Sequence, residues 1–298
     1  MRDVFFIVGP TATGKSEIAA DVARELDAEI VSADAFQIYR GLDLLTAKPD
    51  AATLGKAPHH LIGTMSILEE MNAEKFRKLA LQTISEIHSR GKLAVVAGGS
   101  GLYIKALTHG LSSVPSADPD LRAQLNELSL ADLQKKLREL DPKSAVDFKN
   151  RRRVVRAIEI CLLSETPAST QRAWKSQTTQ GVFVLRDRED LYQRINQRVQ
   201  AMFDAGVIEE VRAAAAMSDT ASKMIGLREI RELLDGKMSI LQGIAQIQQA
   251  TRRYAKRQLT WFRRQTNFQA LNLSVLSQNE AVKRISQLAK TLGSRAGE

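Results

Sequence analysis

Cysteine is almost missing from this 298-residue chain and histidine is scarce: there is one Cys, at 161, and four His. A lone thiol forms no internal disulfide, and its neighbours in RAIEICLL predict a buried, reduced side chain. Four histidines without cysteine partners make no zinc site, so His59 and His60 are expected to be structural. No apolar run approaches the ~18 residues that a membrane span needs. The run VFFIV at 4–8 stops at Gly9-Pro10, too short for a secretory leader. There is no internal repeat and no low-complexity tract. Together these absences predict a cytoplasmic protein without membrane contact.

What is present is 44% hydrophobic residues, enough to bury a large α/β core or a core with a smaller subdomain. The net charge of +9 is unevenly placed: residues 1–120 carry −3 and residues 121–298 carry +12. Charge alone fits solvated helix faces as well as a polyanionic partner, so clustering has to decide between them.

The opening residues predict strand, glycine loop, helix and strand: VFFIV, then Ile18, Ala19, Val22, Ala23 and Leu26 at helical spacing, then EIVSA. A long helix follows, with Asn72 as its N-cap and Gly91 past its end, leading to the strand LAVVAG at 93–98. Strands alternating with helices predict an α/β fold, a parallel sheet flanked by helices. Pro, Ser and Asp cluster over 112–120, and strands are then missing until GVFVLR at 181–186. A helical insertion over 115–180 is expected, within a core of 1–114 and 181–298. Leu133, Leu137 and Leu140 mark one of its helices and NRRRVVRAIEICLL another, broken before Pro167.

Gly9, Pro10, Thr11, Ala12, Thr13, Gly14, Lys15 and Ser16 spell GPTATGKS and satisfy G-x-x-x-x-G-K-[ST] between a strand and a helix. Backbone N–H groups at such a helix start wrap phosphate oxygens, the lysine adds a point charge, and the Ser16 hydroxyl suits Mg²⁺. Asp34 ends the next strand. Its spacing allows a metal-shell carboxylate, as in an ATPase, a general base facing the loop, or a turn aspartate. The helix expected from about 239 to 264 places Arg252, Arg253, Lys256, Arg257, Arg263 and Arg264 on one arc of about 140°. Ile244, Ile247, Thr251, Ala255, Leu259 and Phe262 lie opposite. Six cations without an acid among them favour a nucleic-acid backbone contact, led by Arg253 and Arg257. Arg151, Arg152, Arg153 and Arg156 make a second basic patch.

GPTATGKS, SADAFQIYRGLDLLTAKP, APHHLI, AGGSGLYIKAL, RRRVVRAIEI, MIGLREI and RRYAKRQLTWFRR occur in an order and spacing similar to those of the tRNA dimethylallyltransferases. The likeness runs from about residue 4 to 265. It implies a P-loop NTPase-like fold and transfer of a five-carbon prenyl group from dimethylallyl diphosphate to N6 of the adenosine 3′ to a tRNA anticodon. By the same resemblance Asp34 is the general base, and Thr13, Lys15 and Arg198 hold the diphosphate. Ser100 supplies a hydroxyl beside them, and Mg²⁺ is the cofactor. Arg194 and Arg198 lie four apart, a spacing that read alone gives only a solvated helix face.

The resemblance also implies tRNA contacts, to the anticodon stem-loop, at Asp34, Ala35, Phe36, Gln37, Ser100, Arg122, Arg152, Arg153, Val154, Val155 and Arg156. A further stretch implied to meet tRNA is Lys223, Met224, Ile225, Gly226, Leu227 and Arg228. The enzyme is expected to be monomeric. Three positions depart from the family pattern: Ala35 replaces a serine, Leu45 a glycine, which suggests a different turn, and Ser100 a threonine. The competing readings are a P-loop nucleotide kinase or ATPase and a non-catalytic RNA-binding module.

Overall fold

VFFIV forms β1 (Val4–Val8), buried at every position, as befits a strand covered on both faces. In this computed structural model, which describes residues 4–111, 115, 118–164, 179–214 and 216–293, β1 lies inside a six-stranded, all-parallel sheet. Its companions are β2 (Glu29–Ser32), β3 (His59–His60), β4 (Ala94–Gly98), β5 (Gln180–Leu185) and β6 (Gln269–Asn272), in the order β3-β2-β4-β1-β5-β6. Phe6 pairs with Val96 on one side and Gly181 on the other. The chain builds β2 to β4 on one flank of β1 and β5 and β6 on the other. The C-terminal end of β1 is therefore the switch point, where open parallel sheets leave a crevice for a ligand.

Alternation along β1 sends Phe5 and Ile7 to one face and Phe6 and Val8 to the other. The first face is covered by the helix Lys15–Glu25 and, through Ile285 and Ala289, by Gln278–Gly293. The second packs against Ala73–Ser89, Gly101–His109, Arg188–Asp204 and Ile240–Gln265. Asn72 caps its helix as expected, its side chain accepting from the Lys75 N–H. The last of these helices starts at a reciprocal Ser239–Gln242 capping box.

Two strands escaped the sequence reading. β3 has only two residues, and the QALN of β6 shows neither alternation nor an apolar run. His59 and His60 make β3 and have structural partners: His60 bonds Glu29 at 2.7 Å, and His59 Nδ1 lies 2.8 Å from the Ala57 carbonyl. Glu29 is buried and also accepts two bonds from Arg90, at 2.6 and 3.0 Å. Those bonds hold its carboxyl down at about 2, against the opposing effect of burial. A depressed carboxyl stabilises the fold above its ordinary pKa and loses that contribution as pH falls through the depressed value. Glu29→Gln should thus destabilise the protein by about 1–3 kcal/mol at neutral pH. In denaturant titrations the gap to wild type should close between pH 4.5 and about 2.

The chain forms two compact units, residues 1–108 with 177–298, and residues 109–176. In the second, helices Pro119–Glu127, Leu130–Leu140 and Arg151–Ser164 close around Leu125, Leu133, Leu137, Val154 and Ile158. Cys161 is buried. Residues 112–114 and 116–117 of the expected linker, and Pro167, lie outside the described residues. None of the helices among the described residues is long and apolar enough to cross a membrane.

Candidate active site

Four strand ends converge on the phosphate loop. β1 runs into the loop itself, β2 into Asp34, β4 into Ser100 and β5 into Arg186. Gly14 caps the loop helix in the left-handed region (φ 89°), a conformation that costs a residue with a Cβ. The buried Thr13 hydroxyl donates to the Pro10 carbonyl at 2.9 Å, and Lys15 Nζ donates to the same oxygen at 3.2 Å. Three arginines then hold the loop from the far side. Arg186 Nε donates to the Thr13 carbonyl at 2.8 Å, Arg194 Nε to that of Ala12 at 3.0 Å, and Arg198 to the Thr11 hydroxyl at 2.8 Å. The solvated face that spacing alone gives Arg194 and Arg198 is therefore corrected: both turn inward to the loop.

Asp34 closes a tight turn, one carboxylate oxygen accepting from the N–H groups of Phe36 and Gln37 at 2.9 and 3.3 Å. Ser100 braces the next residue, its hydroxyl accepting from the Ala35 N–H at 2.8 Å. Gln37 donates to the Ala47 carbonyl at 3.0 Å and so ties this turn to the TAKP segment. Leu45 has an ordinary φ, and the left-handed residue of that segment is Ala47 (φ 49°). The Leu45 side chain is buried near Gly226 and Ile247, and Glu210 accepts from the Leu44 and Leu45 N–H groups at 2.8 Å each.

A cleft of about 530 Å³ joins these parts, lined by Thr11, Ala12, Gly14, Lys15 and Ser16 on one side. Asp34, Gln37, Lys48, Arg194 and Arg198 also line it, as do the acidic Glu17 and Asp50. A smaller pocket of about 60 Å³ shares Thr11, Asp34, Thr46, Ala47 and Arg198 with the cleft and continues into Phe36, Leu45, Val199, Met202, Met224, Ile225, Ile247, Thr251 and Tyr254. All the shared residues except Ala47 are polar, and the continuation is mostly apolar. Burial pushes the Lys15 ammonium down to about 8, opposed by the Asp34 carboxylate and assisted by Arg198. Burial also holds the Arg198 guanidinium below its ordinary range, again with Asp34 opposing. The Tyr254 phenol is pushed up by burial and then by the Asp34 charge. An anion entering this cleft meets cations already stripped of water, where their attraction is strongest.

The long helix Ile240–Gln265 presents Arg253, Lys256, Arg257, Arg263 and Arg264 to solvent, with Ile244, Ile247, Ala255 and Phe262 buried on the other side. Arg252 is a correction. It turns toward Arg188–Asp204, donating to Asn196 at 3.0 Å and to Gln248 at 3.3 Å, because those side chains lie within its reach. In the second unit, the basic patch expected from four arginines is reduced to two. Arg152 and Arg153 are exposed, whereas Arg151 donates to the Asn126 and Leu128 carbonyls. Arg156 shares the buried Glu159 with Arg122, which binds it through two bonds of 2.6 Å. Val154 and Val155 point into that unit's core, so an RNA contact through their side chains is corrected too. In the stretch 223–228 only Lys223 and Arg228 are exposed, and Arg228 pairs with Glu229 at 2.6 Å. Met224 and Ile225 line the apolar pocket, and Leu227 is core.

A family model described as IPP transferase matches residues 37–265. The chain belongs to the IPP transferase family. It is 42% identical over 264 residues to the tRNA dimethylallyltransferase of Akkermansia muciniphila, covering 87% of this chain and 90% of that one. Against tRNA dimethylallyltransferase 1 of Citrifermentans bemidjiense it is 40% identical over 270 residues, covering 87% and 88%. The full-length tRNA isopentenylpyrophosphate transferase from Bacillus halodurans matches in structure with TM-score 0.74 and 32% identity, over 100% of both chains. A eukaryotic dimethylallyltransferase crystallised acting on tRNA matches with TM-score 0.84 over 98% of this chain and 79% of that one; at 23% identity it bears on the fold alone. The fold of this IPP transferase family member is P-loop NTPase-like, and membership favours prenyl transfer over a nucleotide kinase.

Several residues of the site carried no sequence signal of their own. Arg186 is one cation past a strand, Glu210 lies in a helix distant in sequence, and Gln258 is a polar residue on a face read as apolar. Tyr254 stands between arginines in the quoted RRYAKRQ motif and was the most accessible of them to sequence reasoning.

Proposed function

We propose that this chain transfers a dimethylallyl group from dimethylallyl diphosphate to N6 of the adenosine 3′ to the anticodon of tRNA, as a monomeric, cytoplasmic enzyme. The observation that carries the reading is the shared wall of the two cavities. A cleft that brings Lys15, Lys48, Arg194 and Arg198 to the phosphate loop and a mostly apolar pocket meet at Thr11, Asp34, Thr46, Ala47 and Arg198. A diphosphate in the cleft and a five-carbon chain in the pocket put the reactive carbon beside a carboxylate.

The C1–O bond of the donor breaks, its electron pair leaving with diphosphate, and the N6–C1 bond forms. The loop N–H groups, Lys15, Arg194 and Arg198 face the charge growing on the leaving oxygens. Asp34 accepts the proton that N6 gives up, and the N–H groups of Phe36 and Gln37 fix its carboxylate for that role. Thr13 acts by bracing the loop, and Ser100 by holding the turn that carries Asp34. Phe36, Met224 and Ile225 keep water from the allylic carbon. Ser16 lines the cleft, where its hydroxyl would suit Mg²⁺. The ion, when bound, neutralises diphosphate charge. The adenine has to leave its stack to reach Asp34. Arg152, Arg153, Lys223 and the exposed cations of the helix Ile240–Gln265 are the surfaces for the tRNA backbone.

Digestion of unmodified tRNA after incubation with enzyme, Mg²⁺ and donor should release N6-dimethylallyladenosine, read by nucleoside mass spectrometry. Modification at another base or position would overturn the reading. Replacing both Arg253 and Arg257 by Gln should weaken tRNA binding and reduce the slope of log affinity against log salt by about one per cation removed. An unchanged slope in filter binding would take this face out of the interface.

A further inference from the structure

Gln258 is nine-tenths buried, on the inner side of the helix whose outer side carries the exposed cations. Its side chain uses both ends. Oε1 accepts from the Thr11 N–H at 2.9 Å, and Nε2 donates to the Gly99 carbonyl at 2.9 Å. Thr11 belongs to the phosphate loop, and its hydroxyl holds Arg198. Gly99 precedes Ser100, whose hydroxyl holds the Ala35 N–H next to Asp34. One amide therefore links the cation side of the reaction to the carboxylate side. The fit is close: a Cβ at Gly99 would lie 2.4 Å from Gln258 Nε2 and 3.0 Å from the Gly9 carbonyl, so no larger residue fits there without displacing the amide.

We propose that Gln258 is a positioning residue that sets the separation between the leaving-group cradle and the Asp34 carboxylate. The inference rests on the prenyl-transfer reading of the site. The loop and the Asp34 turn come from different strand ends, β1 and β2, and the two bonds of Gln258 span β1 to β4, whose end holds the β2 turn through Ser100. Without the link, the N6 nucleophile and its base can drift from the allylic carbon while diphosphate still departs. Water then captures the carbon: the C1–O bond to diphosphate breaks, an oxygen of water bonds the allylic carbon, and the water's proton passes to solvent, giving an allylic alcohol and diphosphate.

The test is Gln258→Met, which keeps the length and removes both hydrogen bonds, and Gly99→Ala, which displaces the amide without removing it. Transfer and donor hydrolysis are followed together with tRNA and labelled dimethylallyl diphosphate, using wild type as the control that the transfer reaction occurs at all. Both variants should lose about 10–100-fold in kcat for transfer, the scale of a ~1 Å misplacement. The tRNA dissociation constant should stay within about twofold, and the ratio of alcohol to prenylated tRNA should rise. Unchanged kcat in Gln258→Met overturns the proposal. So does a loss of transfer with an unchanged product ratio in both variants, because a general weakening of the fold lowers both reactions together. If wild type itself fails to prenylate tRNA, the functional reading falls instead.

Discussion

Asp34→Ala lowers the single-turnover rate of prenyl transfer by about 10²–10⁴-fold, the usual contribution of a general base, while tRNA affinity changes little. The expectation follows from where the carboxylate is held. Asp34 sits at the wall common to the phosphate cleft and the apolar pocket, with one oxygen fixed by two backbone N–H groups. N6 of adenine is a weak nucleophile and gains most from proton removal as the new bond forms. Removing the carboxylate takes away the acceptor and leaves the exposed cations of the helix Ile240–Gln265 untouched. Rapid-quench measurement of transfer beside filter binding of tRNA separates the two quantities. Equal losses in rate and affinity would make Asp34 a binding residue.

Lys15→Met lowers kcat/KM for the donor by about 10²–10³-fold, the cost of removing one preorganised partner of developing negative charge. The ammonium donates to the Pro10 carbonyl of the loop, and burial has already brought it down to about 8. The sign of the pH dependence follows directly. Diphosphate requires the protonated lysine, so kcat/KM of wild type, which reports the free enzyme, should fall as pH rises through about 8. In Lys15→Met that alkaline limb should disappear. Bound diphosphate favours the charged form, so the limb in kcat should lie at higher pH than the limb in kcat/KM. A limb that persists in the variant assigns it to another group.

Residues whose chemistry is local were legible in the sequence. GPTATGKS marks its own strand, turn and helix start; the place of Asp34 past the next strand was legible too, while its assignment as a base came only from the family resemblance. The helix Ile240–Gln265 was read correctly wherever burial alone decides, at Ile244, Ile247, Ala255 and Phe262. Its failures are positions where a polar side chain finds a partner from a remote segment. Arg252 turns to Asn196, and Gln258 reaches Thr11 and Gly99. The arginines of the second unit failed for a related reason: Glu159 lies within reach of both Arg122 and Arg156 once their helices pack, and periodicity cannot show that convergence. Strands β3 and β6 were missed because sheet neighbours, more than their own residues, make them strands.

The most direct test of the central claim, that the loop grips the diphosphate of a prenyl donor as a leaving group, is one incubation followed with two labels. Protein, unmodified tRNA, Mg²⁺, dimethylallyl diphosphate labelled in the prenyl group and ATP labelled in the γ-phosphate are combined. Prenyl label should enter tRNA in step with diphosphate release, while ATP remains intact. Phosphate release from ATP with no label in tRNA would contradict it.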